Sequence, residues 1–450
     1  MRTCICSPCG ILGYGFPKDS FARAMAEKPD AIVVDAGSTD AGPHKLGAGV
    51  AIVSRMAAKK DLALLMQGAR DLNIPLIIGS AGGSGARVHT EWTLSIIREL
   101  CAEMDWHPRT AVIWADIPNQ TVLRGMEEGR LEKMSENVPD LTPETLSQTN
   151  GVVAQMGMEP ILDALDRAQV IVCGRAYDPA PFAAVGVKRG HDAGLSFHLG
   201  KILECGALCC EPGTTKDCML GVLEEDSFTV YPSSPERKCT SVSVAAHTFY
   251  EKDHPYLLHG PGMLLDLSQC RFEELGGGRV RVTGSRFCPE PYTVKLEGAR
   301  AVAYRTFVLA GIRDPMLISR LDEVERQVVQ GVHAYYSDVP ADSYQIHFYH
   351  YGIDAVMGAC EPCRGDLPHE VGLMFEVIAP TQAMADAICA TVRSSYLHFG
   401  YTGRKSTAGN LAFPFAPSDV SFGPVYAFSV YHLLKVADGR SLFPIEIVEV

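Results

Sequence analysis

Ala31-Ile32-Val33-Val34-Asp35 is an apolar run that ends on a carboxylate and continues into Ala36-Gly37-Ser38-Thr39-Asp40-Ala41-Gly42-Pro43. A short apolar stretch bounded by turn residues reads as a strand buried on both faces. The pattern returns at Pro75-Leu76-Ile77-Ile78-Gly79, Thr110-Ala111-Val112-Ile113-Trp114 and Gln169-Val170-Ile171-Val172-Cys173. Amphipathic stretches lie between, from about Ala58 to Leu72 and from Glu91 to Glu103. Apolar strands alternating with helices predict an α/β domain over residues 1–220. Its sheet is expected to be parallel, doubly wound-like and Rossmann-like, covered on both faces. In such sheets ligands bind just beyond the carboxyl ends of the strands, so the segment after each strand is where function is sought.

Past residue 220 the strands lengthen and alternate, as in Arg279-Val280-Arg281-Val282-Thr283 and Tyr344-Gln345-Ile346-His347-Phe348. A strand from Gly372 to Ile378 precedes a helix from roughly Thr381 to His398. These features predict a C-terminal α+β domain, 221–450, with a mostly antiparallel sheet. The segment from Ala193 to Glu251 fits either half.

The 450 residues are 47% apolar and 21% charged, which suits a globular protein and not a disordered chain. A formal charge of −13 gives no footprint for nucleic acid or an anionic membrane. The opening Met1-Arg2-Thr3-Cys4 is not a secretory signal, and no stretch approaches the roughly 18 apolar residues of a membrane span. Fifteen cysteines then read as reduced thiols, and the expected location is the cytoplasm.

Each strand exit offers a candidate site. After the first, Asp35, Ser38, Thr39 and Asp40 combine carboxylates and hydroxyls that suit acid–base work, substrate hydrogen bonding or a divalent cation such as Mg²⁺; a capped turn is the plainer alternative. After the second, Gly79-Ser80-Ala81-Gly82-Gly83-Ser84-Gly85 can cradle an anion on backbone amides or be a tight turn. It lacks the phosphate-loop lysine and the third glycine of a dinucleotide fingerprint, so no nicotinamide cofactor is expected. After the fourth, Arg175 can grip a carboxylate with Asp178 beside it, or the two can clamp the loop. His198, Lys201 and Cys205 share a helical face, with Glu204 beside Lys201; a capped helix end is the alternative. His247, Tyr250 and Glu251 converge similarly, as a hydrogen-bond cluster more readily than a metal site. Lys295 and Glu297 share one strand face, as a surface pair or as a catalytic lysine with its acid. Cys4-x-Cys6-x-x-Cys9 and Cys360-x-x-Cys363 have ligand-like spacings and Cys209-Cys210 are adjacent, but nothing completes a zinc ribbon, so these read as plain thiols.

Several of these segments carry a family resemblance. Gly13-Tyr14-Gly15-Phe16-Pro17, Asp35-Ala36-Gly37-Ser38-Thr39-Asp40, Gly79-Ser80-Ala81-Gly82-Gly83, Gly174-Arg175 with Asp178, and Lys201-Ile202-Leu203-Glu204-Cys205-Gly206 belong to it. So do Val244-Ala245-Ala246-His247-Thr248, Val294-Lys295-Leu296-Glu297-Gly298-Ala299 and Gly409-Asn410-Leu411-Ala412-Phe413-Pro414. Through them the chain resembles, over nearly its whole length, the acyclic terpene utilisation (AtuA) family. The resemblance implies catabolism of branched acids through CoA thioesters and fixes no reaction.

The function expected is that of a lyase, a hydro-lyase (hydratase or dehydratase) in carboxylate metabolism. Its substrate is a small hydroxylated or unsaturated carboxylate or its CoA thioester. Arg175, Asp178, His247 and the Gly79–Gly85 loop bind substrate. Lys201, His198 or Lys295 is the base, and Asp35, Asp40 or Glu251 the acid. An isomerase using the same proton abstraction, or a non-catalytic subunit needing a small partner protein, are the alternatives. A homo-oligomer is expected. The site is expected in a cleft between the two domains, with the glycine loop and Arg175 facing Lys295 or the His247–Glu251 helix, because burial at a cleft wall tunes a lysine or carboxylate toward neutrality.

Overall fold

In a computed structural model the protein is described over residues 2–38, 42–250, 254–363, 365, 367–404 and 409–450. The chain forms two compact units, Met1–Arg300 with Phe428–Val450, and Ala301–Ala427.

The first unit is built on a ten-stranded mixed sheet. Its strands lie side by side in the order Arg271–Gly276, Arg279–Thr283, Ser227–Pro232, Met219–Leu223, Thr3–Ser7, Ala31–Asp35, Leu76–Gly79, Val170–Cys173, Thr110–Ile113 and Ile445–Val448. The run from Thr3–Ser7 to Thr110–Ile113 is parallel. Side chains alternate along a strand, so each apolar run feeds two cores. Ile32, Val34, Ile78 and Val172 pack with residues of the helices Arg55–Leu72 and Arg87–Met104. Ala31, Val33, Ile77 and Ile171 pack with those of Ala180–Lys188 and Ala193–Leu203. The helix Arg55–Leu72 starts where the Ser54 hydroxyl accepts from Ala57 N at 3.2 Å. It buries Ala58, Asp61, Leu62, Leu65 and Ala69 at helical spacing, and it ends at Asn73 in the left-handed region.

The expected division at residue 220 is corrected: it falls inside this unit. Met219–Leu223 pairs antiparallel with Thr3–Ser7, and Ser227–Pro232 and Arg279–Thr283 extend the sheet from there. An unpaired edge beside Thr3–Ser7 would strand its backbone groups, and the returning hairpin satisfies them. The alternating strands after residue 220 thus begin as the margin of the first sheet.

The second unit is α+β. Gln345–Tyr351, Val371–Ala379 and the segment Tyr304 to Ile312 form antiparallel pairs. Val308, Phe375 and Val377 share a core with Val328, Ile388 and Tyr396 of the helices Leu321–Tyr335 and Gln382–His398. Among the described residues, no helix is long and apolar enough to cross a membrane.

Candidate active site

Backbone pairing decides which side chains meet. The short strand Val152–Ala154 runs antiparallel to Leu296–Gly298, with Val153 opposite Glu297. Just beyond it, Met156 N donates to Arg175 O at 3.0 Å, and Tyr177 N donates to Met156 O at 2.9 Å. One segment therefore has the loop after Val170–Cys173 on one side and the strand carrying Lys295 and Glu297 on the other. Arg175 Nε donates to Glu297 Oε2 at 2.9 Å, and its Nη1 to Asp178 Oδ1 at 3.0 Å. Lys295 Nζ lies 2.8 Å from Glu297 Oε1 and 4.6 Å from the centre of the Tyr431 ring. Lys295 and Glu297 are two residues apart on a strand, so they share its face, as expected.

This geometry corrects the role foreseen for Arg175. Its side chain is 2% exposed, and Nη1 is also held by Ser80 Oγ and Ala176 O, each at 3.0 Å. A guanidinium so buried, with those acceptors on Nε and Nη1, clamps the loop. The glycine-rich loop is corrected in the same way. Gly79, Ser80, Gly82 and Gly83 are all buried, and Ser80 Oγ accepts from Ala176 N at 3.2 Å. The first amide of the following helix, Arg87 N, donates to Asp116 Oδ1 at 3.0 Å, so a protein carboxylate already takes the anion's place there.

The glycines serve close packing. A Cβ on Gly37 would lie 1.8 Å from Gly83 O. One on Gly85, at φ +63°, would lie 2.1 Å from Arg175 N. Backbone atoms cannot yield as side chains do, so Gly37→Ala is expected to destabilise the protein by about 2–3 kcal/mol, read from the denaturant midpoint. A change below about 0.5 kcal/mol would show that the two loops are not locked together.

A second group of charges adjoins the first. Asp35 is buried at the end of its strand, and its Oδ1 accepts from Ala36 N at 2.9 Å and Gly37 N at 3.4 Å. Burial pushes its carboxyl well above the usual range. The negative charges of Asp178 and Glu204 add to that push, and Arg175 opposes it only in part. Its protonated form is thus favoured relative to that of an exposed aspartate. Lys201 Nζ lies 2.5 Å from Glu204 Oε1 and 5.6 Å from the Tyr250 ring centre, with Cys205 Sγ 3.4 Å from Tyr250 Oη. The His247 and Tyr250 rings are 4.9 Å apart.

Burial would lower both Lys201 and Lys295, but their acidic neighbours outweigh it, Glu204 foremost for the first and Glu297 for the second. Both rise above the ordinary lysine value. Each stays an ammonium ion, which corrects their expected role as bases. His198 is also corrected. It is fully buried, its Nδ1 is 2.7 Å from Ser285 Oγ and its Nε2 3.0 Å from Thr248 Oγ1, and the Phe228 ring packs edge-on at 5.1 Å. The helix ends at Leu203, so Cys205 lies beyond the face expected to unite it with His198.

The array opens outward at two points. Asp178 is the more exposed, at 27%, and Lys295 follows at 16%. Lys295 lines a cavity of about 500 Å³ together with Gln155, His259, Glu290, Thr293 and Lys435. Beneath its wall at Gly260 lies the ring of Tyr177, whose hydroxyl is buried without a hydrogen-bond partner among the described residues. That hydroxyl feels Lys201, Glu204 and Asp178. The expected meeting of Arg175 with Lys295 is therefore found, but within the first compact unit and not in a cleft between two domains.

Thr39, Asp40 and Glu251 lie outside the described residues, and Ser38 is half-buried at the edge of that gap. Among the described residues, no three carboxylates or imidazoles come close enough to share the divalent cation considered from sequence. Gln155 was missed, although it follows a strand end and the rule that found Arg175 would have found it. Tyr177, Tyr431 and Lys435 gave no signal, since single aromatic or basic residues have no pattern of their own.

No curated protein sequence and no solved structure matches the chain. The family model described as acyclic terpene utilisation family protein AtuA matches residues 58–413, which carry Arg175, Asp178, Lys201, Glu204, Lys295 and Glu297. With most of its length so matched, the chain belongs to the acyclic terpene utilisation (AtuA) family.

Proposed function

We propose that the protein is a hydro-lyase acting on a small hydroxylated or unsaturated carboxylate, free or as the acyl part of a CoA thioester. The observation that carries this reading is the Lys295 ammonium lining a cavity and joined through Glu297 to Arg175 and Asp178, with the raised, buried carboxyl of Asp35 near Asp178 and Arg175. Dehydration needs an anion grip, a base at the acidic α-carbon and an acid for the leaving hydroxyl. The Lys295 ammonium holds the carboxylate or thioester oxygen, and its charge favours the enolate that develops there. Asp178, the most open carboxylate of the array, takes the α-proton. Asp35 gives its proton to the hydroxyl as the C–O bond breaks, so water leaves and a C=C bond forms. The Tyr177 hydroxyl supplies a donor that has no partner among the described residues. A cavity of about 500 Å³ suits a branched acid of small-molecule size. The family's setting of acyclic terpene utilisation supports the substrate class, and we place the reaction in the cytoplasm.

A panel of hydroxylated and unsaturated di- and tricarboxylates and acyl-CoA thioesters tests the reading by melting-temperature shift and by turnover. It is wrong if no member does either. Deuterium uptake from D₂O without an unsaturated product would replace it with an isomerase. With a substrate in hand, Lys295→Met is expected to lower kcat/KM by about a hundredfold or more while the far-ultraviolet circular dichroism stays unchanged. Unaltered kcat/KM would remove Lys295 from the site.

A further inference from the structure

A different cluster lies on the turn after the helix Ala193–Leu203. The sulfurs of Cys209, Cys210 and Cys239 all lie within 4.8 Å of one another, and all three residues are buried. Cys210 Sγ is 3.7 Å from Cys239 Sγ and 3.3 Å from the thioether sulfur of Met219, itself fully buried. We propose that these three cysteines bind a thiophilic d¹⁰ metal ion, of the class of Zn²⁺ or Cu⁺, with Met219 beside them as a fourth sulfur.

Three observations carry the assignment. Spacing is the first: an ion with bonds of about 2.3 Å holds tetrahedral sulfurs about 3.8 Å apart. The Cys210–Cys239 pair already stands at 3.7 Å, so the set needs only a small contraction to close on an ion. Preorganisation is the second. Glu211 N donates to Lys238 O at 2.8 Å and Lys238 N to Glu211 O at 3.2 Å, an isolated antiparallel bridge. Antiparallel register then sets Cys210 opposite Cys239, so their approach is built by the backbone. Donor chemistry is the third. Among the described residues no carboxylate or imidazole joins the three sulfurs, and all three cysteines belong to the same apolar core as Ala207, Val230 and Val244. An all-sulfur set selects soft ions over Mg²⁺ or Ca²⁺.

The bridge residues Glu211 and Lys238, next in sequence to Cys210 and Cys239, are exposed. When bound, the ion would fasten the turn that follows Lys201 and Glu204 to the segment that follows the hairpin Met219–Leu223 and Ser227–Pro232. Sequence spacing alone conceals the site. Adjacent cysteines with a third nearly thirty residues on match no common zinc pattern, and the exposed pair Cys360 and Cys363 draws the eye instead.

The full-length protein, reduced and stripped with chelator, is to be titrated with Zn²⁺ and, anaerobically, with Cu⁺, then gel-filtered and assayed for metal. We expect about one tightly held equivalent of at least one ion. Cys239→Ser is expected to weaken retention at least a hundredfold, while Cys360→Ser with Cys363→Ser leaves it unchanged. X-ray absorption of the loaded parent is expected to give a shell of sulfur only at about 2.3 Å, a readout that stands even if Cys239→Ser fails to fold. Retention of neither ion overturns the proposal, as does loss confined to the Cys360/Cys363 variant or a shell of nitrogen or oxygen. A Cys210–Cys239 disulfide whose reduction restores no metal uptake would make the cluster a redox pair and also overturn it.

Discussion

Replacing Glu297 with alanine is expected to destabilise the protein by about 3–5 kcal/mol, the penalty for leaving a buried charge without its partner. Glu297 is fully buried and shared by two cations, Arg175 Nε at 2.9 Å and Lys295 Nζ at 2.8 Å. Its removal leaves both cations without that carboxylate, and Arg175, 2% exposed, lies where water cannot compensate. Glu297→Gln keeps the volume and separates charge from cavity, and it is expected to lose most of the same free energy.

The pH dependence has a definite sign. Burial alone would raise the Glu297 carboxyl, but Arg175 and Lys295 outweigh it and hold it down at about 2, against an ordinary value of 4.5. A carboxylate depressed on folding gives stability that is fully present above about pH 4.5 and is lost as the pH falls toward 2. The difference corresponds to about 3 kcal/mol across that window. Urea denaturation of parent and Glu297→Gln at pH 7 and pH 3 measures it, and the gap between them is expected to narrow in acid. A glutamine variant as stable as the parent at pH 7 would mean that the three-residue ion pair does not hold the strand to the loop.

Asp35→Asn is expected to separate stability from activity. Because burial raises the Asp35 carboxyl and so favours its neutral form, asparagine resembles the favoured species, and its oxygen can still accept from Ala36 N and Gly37 N. The melting temperature should hold or rise. For a carboxyl raised on folding, the unfolded chain releases its proton first. The parent therefore loses stability as pH climbs from the unfolded value near 3.8 until the folded group ionises, and the variant is spared that loss. Turnover should fall about a thousandfold, since an amide cannot give a proton to a leaving hydroxyl. A variant with normal kcat would remove Asp35 from the reaction. One that melts well below the parent would show that its carboxyl is ionised and paired.

The parallel core was legible because each strand is an unbroken apolar run with a polar exit, and burial on both faces demands that composition. The exits led to Asp35 and Arg175 because ligands and buried charges alike collect where strands end. What the sequence did not reveal was which charges answer one another. Lys295 and Glu297 read equally well as a surface pair. Only the pairing of Val152–Ala154 with Leu296–Gly298 carries Glu297 under Arg175 and turns that arginine into a clamp. The lysines looked like bases because burial alone lowers a lysine, and the carboxylates that reverse the sign lie at Glu297 and Glu204. The domain break was misplaced because alternating strands mark antiparallel pairing, which extends the first sheet as readily as it begins a second.

The strand Ile445–Val448 closes the far margin of the first sheet by pairing with Thr110–Ile113. On the ribosome this means that the sheet must wait. When Arg300 has been made, Thr110–Ile113 still presents unpaired amides and carbonyls along one edge. The strand that covers them follows almost 150 residues later, a delay of roughly 10–30 s at ordinary elongation speeds. Such an edge invites pairing with the wrong chain. Yield in cells should therefore depend on how fast the stretch between Arg300 and Ile445 is translated, and on chaperones that shelter the nascent chain until that strand emerges.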